Sequence, residues 1–423
     1  MTRFHGLLLV APLLLWYLLF NWLFGTDALI GDSERYLQYA KGLIHGGYTD
    51  PTNPSFRNGP GYPIYLVPFV VLDSSVTTIR FSNAVWLFFG VFSFFKLLNL
   101  YLPTNKALLW TYLLGLLPTF FRHSGMLWSE PLAIALTCGF MYFLARYLKN
   151  PRHSWKLGVL AGVSLGLLIL TKVVVAYAVV ACVFAVGVLT IFVRYVQALR
   201  LLAVLVLGAI ICLPYLSYTY SVTGKPFVLG TIGGELLYWR STPFEEEKGN
   251  WIDTRQLLQE RDAGEPSDIY RRHEAVLLEI EKLSYLEQDE RFKELAMQNM
   301  IEHPTAYLRK TVASLSRLFL NTPSTNVDQG IRNILYWPNI VLGLGFLLCS
   351  LVCLLKIRLV PLEVLFSFVF AGILIAGLTL LSGRIRHLAP ILPFMVFVQA
   401  YVWHHFLELR LSSGNQADRS STN

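Results

Sequence analysis

Asp32 and Glu34, in Gly31-Asp-Ser-Glu-Arg35, place two carboxylates two residues apart. A third acid, Glu130, opens an apolar run in Trp128-Ser-Glu-Pro-Leu132. Facing them in the sequence are cations where an apolar chain seldom keeps them. These are Arg57, Lys172 in the minimal turn Leu170-Thr-Lys-Val173, and Arg384 and Arg386 beside His387 and Pro390. A carboxylate at the mouth of a cationic site can act as general base on an acceptor hydroxyl. Convergent Lys and Arg donors stabilise phosphate, so the cations suit an anionic lipid head group. The Asp32/Glu34 pair could also ligate a divalent cation through oxygen. Two carboxylates alone are a weak metal signal, and no cofactor is expected.

Each residue also has a plainer use. Ser33 through Ile44 can form a short amphipathic helix, with Tyr36, Leu37, Ala40, Leu43 and Ile44 on one face. Asp32 then stands at its N-cap, accepting backbone N–H bonds, and Glu34 is a first-turn acid that complements the dipole. Glu130 is either a helix-start acid followed by Pro at a favoured position or a second carboxylate that orients the acceptor. A lone Arg at a helix end most often snorkels to the interface, which suffices for Arg80 or Arg122. At Lys172 the two readings stand level, and the pair Arg384 and Arg386 favours a site.

The elements that must position these residues follow from composition. The chain has 423 residues, 54% hydrophobic and only 15% charged, with a mean hydropathy of +0.50. Soluble domains carry about 25% charged residues, so a soluble enzyme, a disordered scaffold and a disulfide-stapled secreted domain are all poor readings. The net charge of +8 is unevenly spread: Gly234 to His303 holds 17 Asp/Glu and 9 Lys/Arg, leaving 10 acidic and 26 basic residues elsewhere. An acidic extramembrane block in a basic apolar chain describes a polytopic membrane protein and gives no support to nucleic-acid binding.

A bilayer core of roughly 30 Å needs about 20 apolar residues per helix. Ten spans are expected, at 7–24, 77–100, 107–121, 130–147, 157–170, 173–193, 201–219, 334–355, 359–380 and 390–408. With the N-terminus cytoplasmic, every inner loop holds a cation, among them Lys106, Arg146, Lys149, Arg152, Lys156, Arg194, Arg200, Lys356, Arg358 and Arg410. The positive-inside rule therefore puts both termini in the cytoplasm. No small-x-small cleavage site follows the first apolar run, so it is read as a span and not a signal peptide. Cys138, Cys182, Cys212, Cys349 and Cys353 all fall in spans, and no disulfide framework is implied.

The expected organisation is an N-terminal membrane module over 1–219, an extracytoplasmic loop domain over 220–333, C-terminal membrane helices over 334–411 and a disordered tail, 412–423. The module's first outer loop, 25–77, carries Asp32. The apolar run 62–72 is too short to span and should lie at the interface. Within the second loop, Ser284-Tyr-Leu-Glu287 fits a capping box, Pro304 should end that helix, and 306–320 resumes an amphipathic pattern. Outside the acidic stretch Gly234 to His303 the outer carboxylates are Asp27, Asp32, Glu34, Asp50, Asp73, Glu130 and Asp328.

With these residues placed, the chain resembles membrane glycosyltransferases of the GT-C fold, in particular the family-39-like group of protein O-mannosyltransferases and the lipid A aminoarabinose transferase. The resemblance rests on Asp32 in GDSERYLQYAKGL, the turn Pro60 to Pro63, Ser129-Glu130-Pro131, the Lys172 turn and GRIRHLAPILP from Gly383 to Pro393. LGTIGGELLYW and AMQNMIEHPTAYLRK also resemble segments of that family's outer loop. It covers nearly the whole chain in order, although no one motif is specific.

The resemblance implies an all-α GT-C-like protein with about ten membrane helices and a mainly helical cap. It implies transfer of a sugar from a polyprenyl-phosphate or pyrophosphate carrier to a glycan, lipid or protein hydroxyl. Asp32 would activate the acceptor, while Lys172, Arg384 and Arg57 would hold the lipid phosphate. Asp-Ser-Glu stands where that family often has adjacent acids, and His387 where it often has an aromatic residue. A site with one base and a stabilised leaving group points to an inverting single displacement. The setting is the outer face of a bacterial inner membrane, with membrane lipids as further partners. A flippase or transporter of polyprenyl-linked glycans would use the same cations but needs polar mid-depth residues and pseudo-symmetric halves. A polysaccharide polymerase or ligase would share the donor, and a non-catalytic scaffold would leave the outer cations unused.

Overall fold

The computed structural model describes residues 3–149, 155–192, 196–320, 337–381 and 383–407. Arg152, Arg194, Arg410, Asp328 and the tail 412–423 lie outside them. From the N-terminus, α1 (Arg3–Phe24) leads to two short helices, α2 (Ser33–Ile44) and α3 (Gly61–Val71), and then to α4 (Val76–Leu98). α5 (Thr104–Gly115) and the single turn α6 (Pro118–Phe121) precede α7 (Glu130–Lys149), α8 (Trp155–Thr171) and α9 (Val174–Phe192). Next come α10 (Val196–Ile211), α11 (Leu213–Thr223), α12 (Gly233–Ser241), α13 (Thr254–Asp262), α14 (Asp268–Ile280), α15 (Tyr285–Glu302) and α16 (Pro304–Leu320). The described chain closes with α17 (Trp337–Leu355), α18 (Leu362–Leu381) and α19 (Leu392–Val402).

Among the described residues, α1, α4, α7, α9, α17 and α18 are long and apolar enough to cross a membrane. A seventh crossing arises if α10 and α11, which meet at a 40° bend, count as one span. The bend coincides with Pro214, which sits in the first turn of α11, where a ring without an N–H costs least. The expected span 107–121 is interrupted in the same way, by Pro118 between α5 and α6. The expected spans 157–170 and 390–408 correspond to α8 and α19, which are 17 and 11 residues long. Helices thus stand at the expected places, while the crossing length is met by fewer than ten of them.

The membrane helices share one apolar core, with α4 packed between α1 and α7, and α8 between α7 and α10. Gly162 and Gly166 of α8 face α10 so closely that a Cβ at either would lie 2.6 Å from a side-chain carbon of Leu207 or Ile211. Small residues at four-residue spacing are how membrane helices bring backbones together. The cap has its own cluster, built on Tyr238, Trp239, Tyr270, Leu277 and Phe292. The Ser284–Glu287 capping box is formed, and α15 ends at Glu302 before Pro304 opens α16. All five cysteines are buried and free.

Candidate functional site

α2 spans the expected residues, but Asp32 does not cap it. Its carboxylate turns to cations instead. Arg386 donates from Nη2 to Oδ2 at 2.8 Å, and Arg35, one turn along α2, donates to Oδ1. Both oxygens are thereby occupied. The helix start is held from the other side, where the Ser33 hydroxyl donates to the Ile30 and Leu127 carbonyls at 2.9 and 3.1 Å. Burial alone would raise the Asp32 pKa, but Arg386, Arg35 and Lys172 outweigh it and hold the carboxyl well below the ordinary range.

Lys172 sits in the turn between α8 and α9 and donates to Glu130 Oε1 at 2.7 Å. Glu130, the first residue of α7, is 1% exposed, so the pair is a buried one. A buried carboxylate without its cation is strongly destabilising, which ties these two residues together. The turn itself is pressed by the Pro60–Pro63 segment: a Cβ on Gly59 would lie 2.1 Å from the Leu170 carbonyl oxygen. Only glycine permits that approach. Nearby, the hydroxyls of Tyr36 and Ser129 are 2.9 Å apart, and Arg35 Nε donates to Asn58 Oδ1 at 3.1 Å. The start of α2, the Gly59 turn and the start of α7 are thus joined.

The late cations lie on a tight segment between α18 and α19. Gly383 has φ +51°, and a Cβ there would lie 2.5 Å from the Ser314 carbonyl oxygen. A 3-10 turn over Ile385–Leu388 follows. Arg384 lies over the Trp251 ring at 4.4 Å, and Arg386 over the Trp128 ring at 5.2 Å. Burial, and then the adjacent Arg386, lower the Arg384 pKa to about 10, so it stays charged at neutral pH. For Arg386, burial is outweighed by Asp32 and Glu130, which raise its pKa. Burial, with Arg386 and Lys172 alongside, keeps the His387 imidazole neutral.

Asp32, Arg57, Lys172, Arg384, Arg386 and His387 line one cavity of about 470 Å³. Apolar residues of the membrane helices line it too, among them Val174, Val175, Leu374, Leu378 and Phe394. Trp251, Asp253 and Gln256 reach it from the cap. The cavity therefore joins charged and apolar lining residues. Glu130 does not line it but stands behind Lys172. Glu34 faces away, exposed, and accepts from Gln38 Nε2 at 3.1 Å; one residue along a helix from Ser33 is enough to turn it out. Asp32 and Glu34 therefore serve different partners and do not converge as a ligand pair.

Arg57 lines the cavity, yet its Nη2 is engaged by Glu235 Oε2 of the cap at 2.5 Å, with both side chains buried. Glu235 also accepts from the Thr254 backbone N–H at 3.2 Å, just beyond Trp251 and Asp253. Arg80 is 6% exposed and pairs with Asp27 at 2.9 Å, so it ties α4 to the end of α1 and does not snorkel. Arg122 is exposed on a 3-10 turn, away from the cavity. Sequence reasoning missed Arg35, Trp128, Trp251 and Glu235. Arg35 was within reach, because it lies at i+3 from Asp32 on a helix that the pattern predicts.

No family model and no curated protein matches the chain. Solved structures do. The apo oligosaccharyltransferase of Archaeoglobus fulgidus is 12% identical, with a TM-score of 0.55, over 100% of this chain and 53% of that one. AglB from the same organism, in complex with an inhibitory peptide and a dolichol-phosphate, is 12% identical with a TM-score of 0.52, over 97% and 52%. The fold is GT-C. The chain spans about half the length of these oligosaccharyltransferases. ArnT from Cupriavidus metallidurans bound to undecaprenyl phosphate is 13% identical, with a TM-score of 0.42, over 95% of this chain and 78% of that one.

Proposed function

We propose that this GT-C protein is a glycosyltransferase that moves a sugar from a polyprenyl-phosphate carrier to an acceptor hydroxyl. The observation that carries the reading is the lining of the cavity: Asp32, Lys172, Arg384 and Arg386 share it with apolar residues of the membrane helices α9, α18 and α19. An amphiphile with a phosphate head and a long hydrocarbon tail suits such a mixed lining. The AglB structure of the same fold holds a dolichol-phosphate, a lipid of this kind. Among the described residues Arg384 has a ring face and no carboxylate within ion-pair distance. A buried guanidinium in that state is suited to receive an anion.

The chemistry follows from the placement. The acceptor oxygen attacks C1 of the sugar and gives its proton to Asp32. The bond from C1 to the phosphate oxygen breaks, and the leaving polyprenyl phosphate takes the electron pair beside Lys172, Arg384 and Arg386. One displacement inverts the anomeric carbon. Asp32 clamped by two arginines is a weak base. A donor phosphate competes for Arg386, loosening that clamp and restoring basicity when donor is in place. Glu130 keeps Lys172 aimed, His387 lies against the head group, and Arg57 with Glu235 holds the cap on the first outer loop.

On this reading 220–333 is the extracytoplasmic cap, 1–219 and 334–411 are the membrane parts, both termini are cytoplasmic, and the site faces outward from a bacterial inner membrane. The test is transfer of labelled sugar from synthetic polyprenyl-phosphate donors by the purified full-length protein in lipid. Product of inverted anomeric configuration is expected. Product with retained configuration would remove the single displacement, and no transfer from any such donor would remove the function.

A further inference from the structure

α16 is polar on the wrong side. Its buried face carries Lys310, Ser314 and Arg317, which are 3%, 0% and 7% exposed. On the opposite face Leu308, Val312 and Leu315 are 65%, 64% and 43% exposed. A helix against water shows the reverse pattern, with its apolar stripe turned to the core. Met297 and Ile301, four residues apart at the end of α15, are exposed in the same manner.

The ends of α16 tell what lies against that face. Tyr307 donates its hydroxyl to the Leu380 carbonyl at 3.4 Å, at the last turn of the membrane helix α18. Twelve residues on, Asn339 in the first turn of the membrane helix α17 donates from Nδ2 to the Phe319 carbonyl at 3.1 Å. α16 therefore runs from the last turn of one membrane helix to the first turn of another. On α17 itself Val341 and Leu344 are exposed as well.

We infer that α16, with the end of α15, lies in the membrane interface and that Leu308, Val312 and Leu315 are covered by lipid acyl chains. Interfacial helices bind by just this burial of an apolar face at the boundary of head groups and chains. Hydrocarbon accounts for the inverted polarity: the cations are turned inward onto protein carbonyls because the outer face meets no water. Lys310 Nζ donates to the Thr242 carbonyl at 2.5 Å, and Arg317 Nη1 to the Lys248 carbonyl at 2.8 Å. The same inner face packs Ser314 on Gly383, so the lipid surface sets the depth of the segment that bears Arg384 and Arg386.

The test labels Leu308→Cys, Val312→Cys or Leu315→Cys with a nitroxide in the full-length protein, reconstituted into vesicles of phosphatidylethanolamine and phosphatidylglycerol. Glu274→Cys, exposed on α14, is the aqueous control, and protein without an added cysteine gives the background. Three separate positions keep the test alive if one variant misfolds. The ratio of oxygen to water-soluble nickel-chelate collisions should be about tenfold higher at the three sites than at 274, as expected for a face in acyl chains. Equal ratios would put the face in water and overturn the inference. Exclusion of both reagents, with an immobilised spectrum, would replace lipid with a protein partner and overturn it as well.

Discussion

Two groups of buried cations lie near Gly383, and they are satisfied in different ways. In the cap, Arg240 donates to the Lys310 carbonyl at 2.9 Å and to Ser314 Oγ at 2.7 Å, while Lys310 and Arg317 close on the carbonyls of Thr242, Lys248 and Gly249. None of the three lines the cavity. Their donors end on backbone carbonyls and on the Ser314 and Thr242 hydroxyls, two of the carbonyls lying in a turn where Lys248 and Gly249 both have positive φ. In the site, Lys172 and Arg386 end on carboxylates, Arg384 lies on a tryptophan face, and all three open onto the cavity. Burial of a cation is thus no sign of function. The partner is what differs: a carbonyl holds a cation in place for the fold, whereas a carboxylate or ring leaves it able to meet an incoming anion.

That difference can be broken experimentally. The largest effect is expected at Asp32, the acid on which the site's cations converge. Asp32→Asn should lower turnover by about 10³-fold, the usual range for loss of a general base, with donor binding retained; equal turnover would remove Asp32 as base. In the cap the loss should be of stability. Arg240→Ala leaves a buried hydroxyl and carbonyl unpaired and should cost about 2–4 kcal/mol in denaturation, with donor affinity per folded molecule unchanged. A matching loss of affinity would merge the two groups.

The smallest effect is a pH profile that stays flat. Asp32 is held ionised below the ordinary carboxylate range and His387 is kept neutral. Between about pH 5 and 7, kcat/KM, which reports the free enzyme, should therefore show no acid limb from either. The sign for stability is the same. A carboxylate with a depressed folded pKa contributes fully above about 3.9, and loses that contribution only as pH falls through the lower folded value. A limb near pH 6 would mean that His387 takes up a proton, or that Asp32, free of its arginines, is raised by burial.

Much of this is legible in the sequence. Charges at the ends of apolar runs are costly, so Asp32, Lys172, Arg384 and Arg386 stand out from the sequence and do meet in space. α2 was readable because its apolar face has helical spacing, and the 284–287 box because capping is local chemistry. What sequence hid depends on direction and on distant partners. Asp32 sits at the cap position of α2, but the pull of Arg386 from 354 residues away decides where its carboxylate goes. Glu235 and Trp251 belong to an acidic block that reads as solvated surface, and only the folded cap brings them to Arg57 and Arg384. Arg80 looked like a snorkelling cation because its partner Asp27 lies on another segment.

Direct titration tests whether the cavity cations receive a lipid phosphate. Polyprenyl phosphate would be titrated into the purified protein, its Arg384→Ala variant and its Arg240→Ala variant. Affinity about ten- to a hundredfold weaker is expected for Arg384→Ala, the worth of one charge-assisted contact, and unchanged affinity for Arg240→Ala. Unchanged affinity in Arg384→Ala would contradict such binding.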